Sequence, residues 1–214
     1  MAPYRLYCFG ESGNAYKAAL MLELCRLSWV PIFVDFFNGE TRGAAYRSEV
    51  NEMGEAPVLL HGGKKLAQSG VILDYLAERT RKFGAKSDDE RREIWRWILF
   101  DNHKFTSYLA TLRFLIQFAK TGETPVTEFL RGRCVSSLKI VDGHLSRTPF
   151  LMGKRATIAD LSLCGYLFYG EELTVPLEPY THVRHWLGRI QALRGWKHPY
   201  DLMPRALSPS PPAP

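Results

Sequence analysis

The chain of 214 residues is predicted to be an α+β protein in two parts, a sheet-and-helix unit over residues 1–82 and an all-helical unit over 88–203. Three observations predict this. Up to residue 82, β-prone and helical segments follow each other in the order βαβαββα. After Lys82-Phe83-Gly84-Ala85-Lys86-Ser87 only long stretches with apolar residues at helical spacing remain. A hydrophobic content of 46% against 23% charged residues is that of a globular chain, and the length suffices for a real core.

Residues 4–9 alternate and are β-prone, so a first strand is expected there, followed by the turn Gly10-Glu11-Ser12-Gly13. A helix over 14–27 follows from the spacing of Tyr16, Ala19, Leu20, Glu23 and Leu27. Trp29 to Phe36 reads as a second strand, the loop 38–43 as irregular, and 44–52 as a short helix. The apolar run opening on Pro57 is a strand whose first residue cannot donate to the ladder. His61-Gly62-Gly63 turns it into a short strand near 64–66, and a helix spans 68–81. Beyond the junction, helices are expected over 88–119, 125–145, 157–169 and 180–194. The Pro- and Ser-rich end, residues 204–214, has nothing to bury and is expected to be disordered.

Composition narrows the function classes. The net charge is +6, but the densest basic cluster (Arg79, Arg81, Lys82, Lys86, Arg91, Arg92) is broken by Asp88, Asp89 and Glu90. A phosphate-tracking stripe is missing, so small anions are expected partners and nucleic acid is not. No apolar run reaches membrane-spanning length, and the N-terminus enters a strand pattern without a signal-peptide core; a cytoplasmic location is expected. Cys8, Cys25, Cys134 and Cys164 lack metal-ligand or C-x-x-C spacing and are expected to be free, buried thiols. His182 and His185 stand at i, i+3 without a carboxylate at helical spacing, so no zinc site is expected. Lys17 reads as a solvated charge.

Three constellations carry chemistry. Ser12 stands where a strand gives way to a helix, either as a simple N-cap or as a hydroxyl aimed at a bound thiolate. Asn14 competes for the second role through its amide. Ala56-Pro57 is a rigid turn which, if cis, exposes the Ala56 backbone to a ligand. Gln68-Ser69 opens a helix, as a cap or as a receiver of a carboxylate on free N–H groups.

In this order and spacing, Ser12, Glu55-Ala56-Pro57-Val58-Leu59 and Gln68-Ser69-Gly70-Val71 resemble the thioredoxin-like domain of cytosolic glutathione transferases. The helical half resembles the partner domain of that family, and Thr157-Ile158-Ala159-Asp160 matches its buried capping box. The resemblance covers nearly all of residues 4–200. It implies that Ala56 and Pro57 clasp the cysteinyl main chain of glutathione, that Gln68 and Ser69 receive its γ-glutamyl end, and that Ser12 holds the sulfur. Arg42 or Asn38 would meet the glycine carboxylate. Tyr7 on the first strand is the rival thiolate partner, with Tyr4 behind it. With Ser12 at the helix start and no cysteine there, the omega type is disfavoured; serine-type transferases and the bacterial nu-type disulfide reductases both fit.

By the same resemblance the reaction is transfer of glutathione, as co-substrate and without metal, to a hydrophobic electrophile. The acceptor would sit between the domains along helix 88–119, with Asn102, His103 and Tyr108 as polar candidates. Reduction of a disulfide or peroxide and a non-catalytic binding module remain alternatives. A homodimer is expected from the family habit.

Overall fold

The computed structural model describes residues 3–206. Four strands, β1 (Tyr4–Cys8), β2 (Trp29–Phe33), β3 (Val58–His61) and β4 (Lys64–Ala67), form one sheet in the order β2-β1-β3-β4. β1 and β2 are parallel, with Leu6 opposite Pro31, which demands a crossover; helix α1 (Gly13–Leu24) supplies it. β2 lies at the sheet edge, where Pro31 costs no ladder bond to a second neighbour. β3 pairs antiparallel with β1 and with β4. The hairpin closes on Gly62 and Gly63 at φ 54° and 76°, the left-handed pair that a two-residue primed turn requires. The order βαβαββα is completed by α2 (Ala44–Glu49) and α3 (Ser69–Thr80).

Helix α1 is buried at every position except Asn14 and Glu23, packed against β1, α3, α7 (Ile158–Leu163) and α9 (Pro199–Leu202). Its sequence is apolar nearly all round because it has no solvent face. Lys17 corrects the sequence reading: its side chain is fully buried, not solvated.

The helical half begins at Ser87, whose hydroxyl accepts from the Glu90 N–H at 3.2 Å, with Asp88, Asp89 and Glu90 favourably placed in the first turn of α4 (Asp88–Phe100). The expected helix 88–119 is one helical run interrupted twice: π-helical turns at Asp101–Thr106 and Phe114–Phe118 flank α5 (Ser107–Arg113). Each π turn widens the spiral and re-aims the side chains beyond it. α6 (Pro125–Leu145) and α8 (Thr181–Gln191) complete the bundle.

At the start of α7, Asp160 accepts from the Thr157 N–H at 2.8 Å, while the Thr157 hydroxyl accepts from the Ala159 N–H at 3.3 Å. The other Asp160 oxygen accepts from the Leu151 N–H and from Trp186 Nε1, both at 2.9 Å. The predicted helix 157–169 stops at Leu163. Gly165 lies so close to α1 that a Cβ there would fall 2.7 Å from the Lys17 stem and 2.8 Å from the Gly13 carbonyl. Past this contact the chain turns, burying Tyr166, Phe168 and Tyr169.

Residues 204–206 depart from the expected disorder: the Pro204 carbonyl accepts from the Gly10 N–H at 2.7 Å, and buried Ala206 donates its N–H to Glu11 Oε2 at 2.9 Å. The rest of that predicted segment, 207–214, lies outside the described residues. Among the described residues no helix is long and apolar enough to cross a membrane.

Candidate functional site

A cavity of about 710 Å³ opens between the sheet domain and the α4–α5 run, and Ser12, Asn14, Ala56, Pro57, Gln68 and Ser69 all line it. Three backbone features bring them together. The first is the N-terminus of α1. Ser12 is its N-cap, in extended conformation, and its Oγ accepts from the Ala15 N–H at 3.1 Å. Capping uses a lone pair and leaves the hydroxyl proton free, so the two sequence readings of Ser12 are compatible. Asn14 follows in the first turn, its buried Oδ1 without a hydrogen-bond partner.

The second feature is the turn before β3, where the Ala56–Pro57 peptide is cis. The Glu55 carbonyl just ahead of it accepts from the Tyr46 hydroxyl at 3.0 Å and from Asn51 Nδ2 at 2.9 Å. The third is the start of α3. Gln68 caps it at φ 68°, a left-handed conformation that a glutamine adopts at a cost of about 1–3 kcal/mol. Its amide Nε2 donates to Glu55 Oε2 at 2.7 Å, tying the third feature to the second. Ser69, the first residue of α3, is buried beside it.

Other candidates stand elsewhere. Tyr7 does not line the cavity; it pairs with Ile32 and Val58 inside the sheet and packs edge-on to Tyr46. Tyr4 stacks on His61 with centroids 3.7 Å apart. Arg42 is exposed and folds over Gly39, outside the cavity lining, and the Asn38 amide is held by the Asp35 carboxylate. Of the three polar residues suspected on helix 88–119, Asn102 lines the cavity, whereas His103 and Tyr108 do not. The Tyr108 hydroxyl accepts from Arg133 at 3.4 Å.

The cavity also has an aromatic wall. Phe9, Phe36, Phe37, Phe114 and Phe118 line it. Phe9 stacks on Phe36 at 4.8 Å, and Phe37 meets Phe118 at 4.9 Å. These phenylalanines come from the loops after β1 and β2 and from the second π turn; the two strands, expected to reach Phe9 and Phe36, stop at Cys8 and Phe33.

Two further residues escaped the sequence reading. Arg113 is buried, donates to the Glu11 carbonyl at 2.6 Å and to the Tyr200 hydroxyl at 3.0 Å, pairs with Glu172, and lies 3.8 Å over the Tyr169 ring. Burial pushes the Glu172 carboxyl upward, but the hydrogen bonds from Arg113 and Tyr200 outweigh it and hold that carboxyl below its usual range. Tyr166 reaches the cavity from the turn after α7, and burial raises its phenol above the usual value. No local sequence signal distinguishes either from an ordinary surface arginine or core tyrosine.

The arrangement suits an anionic sulfur. The orphan N–H groups of α1 and the Ser12 hydroxyl face the cavity with positive potential. Glu11 also lines the cavity, and its carboxylate accepts from the Ala206 N–H and pairs with Arg205 Nε at 3.6 Å. Among the described residues no group of three or more His, Cys, Asp or Glu could hold a metal ion.

Comparison with known proteins gives this geometry a family. The model of the glutathione S-transferase N-terminal domain matches residues 2–78, and that of the C-terminal domain matches 107–193. Glutathione S-transferase F14 of Arabidopsis thaliana is 28% identical over 220 aligned positions, covering 93% of this chain and 86% of its own. A crystal structure of a glutathione S-transferase from Pseudomonas fluorescens superposes with a TM-score of 0.85 at 31% identity, over 92% of this chain and 98% of that one. That of a possible glutathione S-transferase from Rhodopseudomonas palustris gives 0.87 at 29% identity, over 97% and 94%. The chain belongs to the glutathione S-transferase family of enzymes, with a thioredoxin-like domain followed by a helical one.

Proposed function

We propose that this protein binds glutathione across the Ala56–Pro57 turn and the Gln68–Ser69 helix start, and presents its thiolate from the mouth of α1 to a hydrophobic electrophile. The reading rests above all on one relationship: the Ser12 hydroxyl, with its lone pair engaged by the Ala15 N–H and its proton free, faces the same cavity as the other two features. The Ala56 backbone receives the cysteinyl main chain. The N–H groups and hydroxyl at Ser69 receive the γ-glutamyl carboxylate. Gln68, braced by Glu55, sets the position of that helix start.

Chemistry then needs little more than orientation and a lowered thiol pKa. A free thiol titrates near ~8.5 and is mostly protonated at neutral pH; a helix N-terminus and a donated hydroxyl proton favour the thiolate. The phenylalanine wall holds an apolar acceptor near the sulfur and excludes water. On this reading residues 1–82 are the glutathione-binding unit, 88–203 supply the acceptor side, and the protein works as a cytoplasmic homodimer.

Calorimetric titration with glutathione, followed by initial rates with a chlorinated aromatic and with a small disulfide, tests the proposal. Binding with conjugation of the aromatic is the expected result. Turnover of the disulfide alone makes the protein a reductase, binding without turnover makes it a binding module, and no heat of binding removes the reading altogether.

A further inference from the structure

The turn Gly10-Glu11-Ser12 carries β1 into α1, and each carbonyl oxygen from Phe9 to Ser12 has a donor. Two of the bonds are local: the Ser12 N–H donates to the Phe9 oxygen at 3.1 Å, and the Tyr16 N–H to the Ser12 oxygen at 2.9 Å. The two oxygens between them are held from the helical half. The Tyr169 hydroxyl donates to the Gly10 oxygen at 2.8 Å, and Arg113 Nη1 to the Glu11 oxygen at 2.6 Å. Both of these bonds are buried.

We propose that Arg113 is a positioning residue for the thiolate: by holding the Glu11 carbonyl, with Tyr169 on that of Gly10, it keeps the oxygens of the turn off the sulfur. The inference rests on the glutathione reading above. Arg113 lines the same cavity as Ser12 and is 1% exposed. A carbonyl oxygen swung toward a thiolate opposes it; a bound one leaves N–H and O–H groups to face the anion. The guanidinium is itself fixed. Its Nη2 pairs with Glu172 and donates to the Tyr200 hydroxyl at 3.0 Å, and that hydroxyl donates to Glu172 at 2.7 Å. Its Cζ lies 3.8 Å from the Tyr169 ring centroid and 5.0 Å from that of Phe118. A planar fork serves a carbonyl and a carboxylate at once from one rigid group, which an ammonium does not.

The charged and titratable groups around this clamp are accounted for. Glu172 is balanced by Arg113 itself. The Glu11 carboxylate accepts from the Ala206 N–H at 2.9 Å and lies 3.6 Å from Arg205 Nε. Burial raises the phenols of Tyr166, Tyr169 and Tyr200 alike, so Tyr169 and Tyr200 remain donors at neutral pH. Arg113 ends α5 and Tyr169 follows α7, so the helical half sets the orientation of a turn that belongs to the sheet half.

The test compares wild type with Arg113→Met, Arg113→Lys and Tyr169→Phe. Glutathione Kd is measured by calorimetry at a pH where the thiol is protonated both free and bound. Ionisation of the bound thiol is followed by ultraviolet absorbance against pH. Arg113→Met is expected to leave that Kd unchanged and to raise the bound-thiol pKa by about one unit, which lowers turnover roughly tenfold below the midpoint. The loss is expected to vanish once pH passes both midpoints, a recovery that damage to the fold would not produce. Arg113→Lys keeps the charge without the fork and is expected to behave like Arg113→Met. Tyr169→Phe keeps the ring and frees the Gly10 oxygen. It is expected to shift the pKa in the same direction, and it decides the matter if the Arg113 variants do not fold. A bound-thiol pKa unmoved in every folded variant overturns the proposal, as does a loss equal at all pH values or full recovery in Arg113→Lys. If wild type binds no glutathione at all, the functional reading beneath fails as well, and the calorimetry identifies that case separately.

Discussion

Lys17 Nζ lies 2.7 Å from Asp101 Oδ2, and both side chains are completely buried. Thr106 donates to the second Asp101 oxygen at 2.6 Å and accepts from Lys17 at 3.2 Å, while Ser162 donates to Asp101 Oδ2 at 2.6 Å. The cluster joins α1, the first π turn and α7. A charged pair taken out of water is sustained by further hydrogen bonds, and here the two hydroxyls supply three.

Removing one partner leaves the other buried and unpaired. Lys17→Met is expected to cost about 3–5 kcal/mol in a urea melt. The double change Lys17→Met with Asp101→Asn is expected to cost clearly less than the sum of the single changes, because no net charge is stranded. Strict additivity would show that the two groups do not interact.

Gly13→Ala sets two effects against each other. Alanine favours a helix by about 1 kcal/mol over glycine. The added methyl would, however, meet the Tyr166 ring at 2.4–2.5 Å, and that ring is wedged in the core. Overpacking of this kind costs about 1–3 kcal/mol, so net destabilisation is expected, together with reduced turnover as the ring is displaced from α1. A variant as stable and active as wild type would mean that the ring moves freely.

Ser12→Ala removes a cap and a donor at once. The lost cap is expected to lower stability by about 1 kcal/mol. The lost donor is expected to lower kcat and kcat/KM together while leaving glutathione affinity nearly intact, the signature of an interaction made to the ionised sulfur. Initial rates with a chlorinated aromatic, alongside calorimetry, separate the two effects.

The cysteines predict an alkaline limit. Burial pushes Cys8 and Cys134 up to about 12 and raises Cys25 and Cys164 as well. An acid whose folded pKa is raised keeps its proton in the folded chain where the unfolded chain has lost it. Above the ordinary thiol value of ~8.5 the unfolded state therefore binds fewer protons, and stability is expected to fall as pH rises toward the folded values. Urea midpoints measured between neutral and strongly alkaline pH check the slope, and a thiol reagent is expected to label the four cysteines only on unfolding.

What could be read in advance follows the range of the interactions. Local chemistry was legible: the Gly62-Gly63 hairpin, the strand after Pro57, the helix starts at Ser12, Gln68 and Thr157, and the all-helical second half. Each depends on neighbours a few residues away. What was missed depends on partners far along the chain. Lys17 looks solvated until Asp101, 84 residues away, is folded against it. Arg113 gains its meaning from the Glu11 carbonyl and Glu172, and Tyr166 from Gly13. The expected helix 157–169 was cut short by the same logic, since Gly165 must pass under the Lys17 stem. At the site, the six residues on turns and caps meet in one cavity, whereas Arg42 and Tyr7, chosen by family resemblance, lie outside it.

The most direct measurement is the ionisation of glutathione's thiol when bound, followed by ultraviolet difference absorbance from acid to alkaline pH. The midpoint is expected well below that of free glutathione, and is expected to return toward the free value in Ser12→Ala. A bound midpoint equal to that of the free thiol would contradict the view that the mouth of α1 stabilises the anion.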